Sequence, residues 1–166
     1  MPQYTTRFGS LLDYEKGGVE AIDDEPEHYA FSNMFEVAAN AKAWEKVAVG
    51  KNQEYVLEVI RAEGMSEWRT AAHDEFALVM DGMVTIELVK LDAPDLPADK
   101  RGSVRIDEAP PKGRSMGRIV AGRGHMTLLP AGAAYRFRAD EPGVILLQTI
   151  EGDDTIYRWA EIIQTG

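Results

Sequence analysis

The chain has 166 residues, 45% hydrophobic and 28% charged, which suits one globular domain that buries its core without cross-links. It contains no cysteine, so disulfides, thiolate metal sites and cysteine nucleophiles are excluded. A formal net charge of -10 argues against a nucleic-acid partner, because phosphate contacts call for a basic face.

No apolar run approaches the ~20 residues that span a bilayer. Residues Met1 to Ser10 lack the basic-then-apolar order of a secretory signal. A soluble, cytoplasmic protein without a membrane partner is the expectation. Residues 1–32 are polar and acidic, with Glu20, Asp23, Asp24, Glu25 and Glu27 crowded around Pro26. Such a like-charged stretch reads as an extended arm, either a disordered tail or a segment that docks on a partner. Tyr4, Phe8, Tyr14, Tyr29 and Phe31 are embedded in it.

Residues 33–166 read as one domain. Ser32 or Asn33 is placed to cap a short helix through Ala43. From Lys46 the pattern changes to period two, with Val47 and Val49, then Tyr55, Leu57 and Val59, alternating with other residues. That is strand patterning. Strands are expected again over Glu75 to Met80 and Met83 to Leu91, separated by Asp81-Gly82, a hairpin signal. Asp92 to Ser115 is rich in Pro, Gly and charge and reads as a loop insertion. Further strands are expected at Arg118 to Ala121, His125 to Leu129, Ala134 to Arg138 and Val144 to Ile150. Asp153 or Asp154 is placed to cap a C-terminal helix through Ile163. Many short strands with helices only near the ends indicate an all-β sandwich or jelly-roll barrel.

Two segments sharpen this. Glu75-Phe76-Ala77-Leu78-Val79-Met80-Asp81-Gly82 carries a Glu and a Gly with six residues between them. Gly124 is followed at fixed spacing by Pro130-Ala131-Gly132 and Tyr135. Together they resemble the two motifs of the cupin superfamily: Gly, His-x-His, Glu and Gly in the first; Gly, Pro-x-Gly, His and Asn in the second. The resemblance implies a single cupin-type barrel and an expected set of four metal ligands. Most of that set is missing. The imidazole positions of the first motif fall at Trp68 or Arg69 and at Thr70 or Ala71. Those of the second hold Tyr135 and, for the Asn, Ala139. Glu75 alone matches.

A shifted set of His73, Glu75 and His125 is the alternative metal reading, since His73 and Glu75 share one side of an extended strand. Against it, His73 at a strand junction is more often a hydrogen-bonding residue. Glu75 could pair with Arg69 or Arg136, and Tyr135 could fill the barrel mouth. Trp44, Trp68 and Trp159 read as packing or interface anchors.

The stretch from Ala71 to Gly82, the segment Val89-Lys90-Leu91-Asp92 and the run Leu128 to Phe137 resemble the small (alpha) subunit of two-component hydroquinone 1,2-dioxygenases. That resemblance implies a heteromer, with this chain as the metal-free subunit. A larger cupin partner would hold Fe(II), and the assembly would cleave hydroquinone with O2 to 4-hydroxymuconic semialdehyde. The substrate-pocket candidates are Trp68, Arg69, His73, Glu75, His125 and Tyr135, with no catalytic residue in this chain. Two other readings remain: an independent metal-dependent cupin enzyme, and a small-ligand-binding module without chemistry.

Overall fold

The structure, a computed structural model, describes Leu11 and residues 33–93 and 102–158. Apart from Leu11, the expected arm at 1–32 lies outside the described residues, as does Trp159. One helix, α1 (Met34–Asn40), opens the described domain. Asn33 caps it, its Oδ1 accepting from the Phe35 N–H at 2.9 Å. A cap of this kind stabilises a helix by about 1 kcal/mol.

Ten strands follow: β1 (Lys46–Lys51), β2 (Val56–Met65), β3 (Arg69–Ala71), β4 (Glu75–Asp81), β5 (Met83–Leu91), β6 (Ser103–Arg105), β7 (Gly113–Gly122), β8 (Met126–Leu129), β9 (Ala133–Thr149) and β10 (Thr155–Ile156). They form one curled sheet, and the long strand β9 organises it. The C-terminal half of β9 lies between β2 and β4, and its N-terminal half pairs with β5 and β3. The two motif segments meet directly, since Glu75 in β4 pairs with Leu129 in β8. This is the all-β, cupin-type barrel expected from the motifs.

Two layers of apolar contact hold the barrel. Inside, Ile60, Ala77, Val79, Ile86, Leu129, Phe137, Ile145 and Leu147 form the main core. Outside, Val37, Ala38 and Ala41 of α1 cover Val47, Val49, Val59 and Val144. Each fully buried valine or leucine contributes about 1.5 to 3 kcal/mol. With both faces covered, β1 is buried from Lys46 to Gly50. The half-exposed strand implied by simple alternation is therefore not what forms.

Four expectations are corrected. Asp81-Gly82 does not make a hairpin: β4 and β5 both run antiparallel to β9 and form one bent path along it. Gly82 (φ 77°) marks the bend, and a Cβ there would lie 3.0 Å from Cα of Gly143 on β9. Only a glycine tolerates that dihedral and that approach without strain. The expected break at 139–143 is a bulge inside the longer strand β9, where the register against β2 shifts and Asp140, Glu141 and Pro142 have no ladder partner among the described residues. Within the expected loop at 92–115 stand β6 and the start of β7, while 94–101 lie outside the described residues. At the C-terminal side, Asp153 and Asp154 lead into β10, which pairs in parallel with β1, rather than into a helix. The Thr155 hydroxyl donates to Glu58 Oε1 at 2.6 Å, and the Asp154 carboxylate is tied to the barrel. Side chains drawn inward in this way hold the segment extended. The rest of the expected helix, 159–163, lies outside the described residues. Among the described residues, no helix is long and apolar enough to cross a membrane.

Candidate functional site: the barrel cavity

One end of the barrel opens into a cavity of about 430 Å³ between β1, β2, β3, β9 and β10. Its apolar wall is aromatic. Trp44 and Phe137 stack with ring centroids 6.2 Å apart and planes 8° apart, and Tyr135 leans on Phe137 at 5.3 Å. Ile60, Met65, Leu147 and Ile156 complete it. Trp44 sits in the left-handed region at φ 65°, and its N–H donates to the Arg61 carbonyl at 3.0 Å. A bulky residue in that region carries backbone strain, which only the surrounding contacts sustain.

The polar wall is a chain of paired charges. Lys46, 3% exposed, faces Glu58 Oε2 at 3.2 Å and Asp154 Oδ1 at 3.3 Å. Arg69 is paired with the other oxygen of Asp154, and its Nε donates to Ser103 Oγ at 2.9 Å. Burial pushes the Glu58 carboxyl above its ordinary range, and Lys46 works against that shift. For Asp154 burial also acts upward, but Lys46 and Arg69 together outweigh it, so its carboxyl lies below the ordinary range.

Two of the six residues expected at the pocket line this cavity. Arg69 and Tyr135 are cross-strand partners between β3 and β9, so both project to the same face. The Tyr135 hydroxyl is fully buried, with Glu75 and Ser103 as its polar neighbours and no hydrogen-bond partner of good geometry among the described residues. Burial, and then the neighbouring Glu75 charge, raises its phenol well above the ordinary range.

Glu75 and His73 lie behind that wall. Thr149 Oγ1 donates to Glu75 Oε1 at 2.6 Å, and the Ile150 N–H donates to His73 Nε2 at 3.1 Å. Glu75 thus pairs with a threonine, while Arg69 takes Asp154 and Arg136 takes Glu87. The two remaining candidates are elsewhere. Trp68 is buried beneath the Arg136 guanidinium, 4.6 Å from its ring centroid, on the far side of β3. His125 stands exposed in the turn before β8, its Nδ1 against Gly122 at 3.2 Å. With Glu75 opposite Leu129, His125 is four residues further along the ladder, about 13 Å away at ~3.3 Å per residue. His73, Glu75 and His125 therefore do not converge.

The donors present do not fit an iron ion. One Glu75 oxygen is engaged by Thr149, and the Nε2 lone pair of His73 is taken by a backbone N–H. One imidazole position of the first motif holds the cation Arg69, which repels a metal ion. Among the described residues no three His, Cys, Asp or Glu side chains gather.

Sequence reasoning missed Trp44, Lys46, Glu58 and Asp154 as site residues. A signal for Glu58 was present: Ile60 and Ala62 share its face of β2, so an inward carboxylate was implied.

No protein-family model and no curated protein matches the chain. Solved structures do. A chain of hydroquinone 1,2-dioxygenase from Sphingomonas sp. TTNP3, solved with 4-hydroxybenzoate bound, is 59% identical with a TM-score of 0.92, over 98% of this chain and 99% of that one. A chain of hydroquinone 1,2-dioxygenase PnpCD, in complex with Cd2+ and 4-hydroxybenzonitrile, is 53% identical with a TM-score of 0.89, over 98% of each chain. A longer chain of PnpCD, from the complex with Fe3+, shares the fold alone: 10% identity and a TM-score of 0.62, over 86% of this chain and 39% of that one. The near end-to-end likeness to the first two places the chain by descent, and it belongs to the hydroquinone 1,2-dioxygenases, which are oxidoreductases.

Proposed function

We propose that this chain is the small, metal-free subunit of a heteromeric hydroquinone 1,2-dioxygenase. The iron is held by a larger cupin partner. The observation that carries the reading is the 59% identity over 98% of this chain to one chain of such an enzyme, against 10% to a longer chain of a related one. The composition of the barrel supports it. The ligand positions hold Arg69 and Tyr135, one oxygen of Glu75 accepts from Thr149, and His73 Nε2 accepts from a backbone N–H.

The reaction of the assembly is the opening of the hydroquinone ring between a hydroxyl-bearing carbon and its neighbour. Both oxygen atoms of O2 enter the product, 4-hydroxymuconic semialdehyde, and no other reductant is consumed. This chain contributes a rigid barrel and a docking surface for its partner. Its buried ion network and stacked wall fix the geometry at no cost during turnover.

The test is reconstitution with a large subunit of a hydroquinone 1,2-dioxygenase. The pair consumes one O2 per hydroquinone and forms the ring-opened semialdehyde, and this chain alone forms none. Turnover by this chain alone, or a large subunit indifferent to its presence, would remove the reading.

A further inference from the structure

Strands β4 and β8 carry apolar side chains on both faces. Ala77, Val79 and Leu129 point into the core, while Phe76 and Leu128 on the opposite side are 40% and 45% exposed. A sheet with one face in water alternates apolar with polar side chains, and strands apolar on both faces are the ones buried on both. The outward face continues across four strands. In one row Leu57 of β2, Gln148 of β9, Phe76 of β4 and Leu128 of β8 are successive cross-strand partners. In the next row the partners are Val59, Leu146, Leu78 and Met126. Helix α1 covers Val59 and the end of the face toward Val47 and Val144. Beyond it Leu57, Phe76, Met126 and Leu128 are 39% to 62% exposed.

Size and charge define what covers this face. Those four side chains and Tyr55 expose on the order of 400 Å², about half of the ~800 Å² that one partner commonly gives to a stable complex. A groove of about 620 Å³ beside Met34, Tyr55 and Leu57 extends the contact area. Neither row holds a charged side chain. A charged surface laid on it would lose hydration without gaining a partner, so the occupant is apolar at this contact. A second copy would bring the same net charge of -10, and an uncharged face supplies no attraction against that repulsion. The longer PnpCD chain, by contrast, shares this fold, and so has a curved sheet of the same build to lay against it at the ~10 Å spacing of packed sheets.

We infer that the outer face of β2, β9, β4 and β8 is the surface on which the larger cupin partner seats an apolar sheet face of its own. The inference rests on the heteromer reading and adds to it where on this barrel the partner binds.

Affinity of the full chain for the large subunit of a hydroquinone 1,2-dioxygenase, read by biolayer interferometry, tests it. Leu57→Glu and Leu128→Glu stand at opposite ends of the first row. Each is expected to weaken the complex about tenfold or more, because a carboxylate is buried there without a partner. Val120→Glu, at a position 59% exposed on β7 and outside the face, is expected to bind as the parent does. Circular dichroism verifies the fold of each variant, and Met126→Glu, at a position 62% exposed in the second row, replaces one that fails. Parent affinity in both face variants, or an equal loss in Val120→Glu, would overturn the inference and leave the heteromer reading standing. No binding by the parent would remove both. Dimerisation of the parent alone in sedimentation velocity, lost in Leu128→Glu, would overturn the inference by giving the face to a second copy. So would binding of a hydrophobic-surface dye that begins only when Met1 to Ala30 are deleted, which would give the face to the arm.

Discussion

Lys46 shows how much of this barrel depends on single side chains. It is 3% exposed and lies between Glu58, itself 0% exposed, and Asp154. Taking charges out of water costs several kcal/mol per ion, so a buried pair is tolerated rather than strongly stabilising. Removing one partner leaves the other charge uncompensated. Lys46→Met is expected to cost about 3 to 5 kcal/mol in urea unfolding at pH 7. The double variant Lys46→Met with Glu58→Met should recover most of that loss, because both desolvation penalties disappear together.

Asp154 gives a pH signature. Its folded carboxyl lies below the ordinary value of 3.8, because Lys46 and Arg69 outweigh burial. A depressed carboxyl favours the fold when ionised, so its contribution is complete above the unfolded value. It is lost as pH falls below about 4 through the folded value. Asp154 is 36% exposed, so solvent screens the effect to about 1 kcal/mol. Asp154→Asn should therefore be less stable than the parent at pH 7, and the difference should close in unfolding curves taken below pH 4.

These roles were hard to read from residue types. Lys46 and Glu58 sit at alternate positions of strands and resemble solvent-facing charges. Packing of α1 on the outer side of β1 turns Lys46 inward, and the shared face with Ile60 and Ala62 is the one sequence signal for Glu58. Motif spacing placed Tyr135 on β9 but left Trp68 and Arg69 as alternatives at β3, and of the two Arg69 lines the cavity. Trp68 does not, since a one-residue step along a strand reverses the face. His125 was misplaced for a different reason. It belongs to a turn, where the pairing ladder no longer sets the direction of a side chain.

Among the elements, β9 departs furthest from its local sequence. Asp140, Glu141, Pro142 and Gly143 carry turn propensity, yet the strand continues through them. Pairing on both sides overrides the local signal: β2 and β4 flank Val144 to Gln148, and β5 pairs with Ala133 to Arg138. The Asp-Gly pair misled in the same way. Its dihedral preference was read correctly, but positive φ serves a bend as well as a hairpin. Gly82→Ala tests this. A Cβ at φ 77°, 3.0 Å from Gly143 on β9, should destabilise the domain by about 1 to 3 kcal/mol without changing the denaturant slope. An unchanged unfolding midpoint would show that the bend yields easily.

Short elements were the least legible. β3, β6 and β10 are two or three residues long and draw their stability from neighbours rather than from pattern. β6 pairs with β3, and β10 with β1, so none of them is visible before the barrel closes.

At the scale of the whole molecule, the barrel was legible from two motifs, in which Glu75 alone matches the expected ligand set. What no spacing could reveal was the replacement: a cavity bounded by a stacked aromatic wall and a closed chain of ion pairs. Assembly with a larger cupin chain is the property on which the proposed function depends. Residues 1–30 combine many acidic side chains with four aromatics, Tyr4, Phe8, Tyr14 and Tyr29, a composition suited to docking on a partner. Deleting Met1 to Ala30 should weaken heteromer formation in sedimentation velocity while leaving the circular dichroism of the barrel intact. Equal assembly by the truncated chain would place the interface on the barrel itself.

The most direct test of the central claim is the iron content of this chain purified alone, after expression with Fe(II) under anaerobic conditions, set beside that of the reconstituted heteromer. The account predicts folded chain with iron far below one equivalent, and about one iron per large subunit in the assembly. Near-stoichiometric iron in this chain alone, lost on His73→Ala, would contradict it and make the chain a metal centre in its own right.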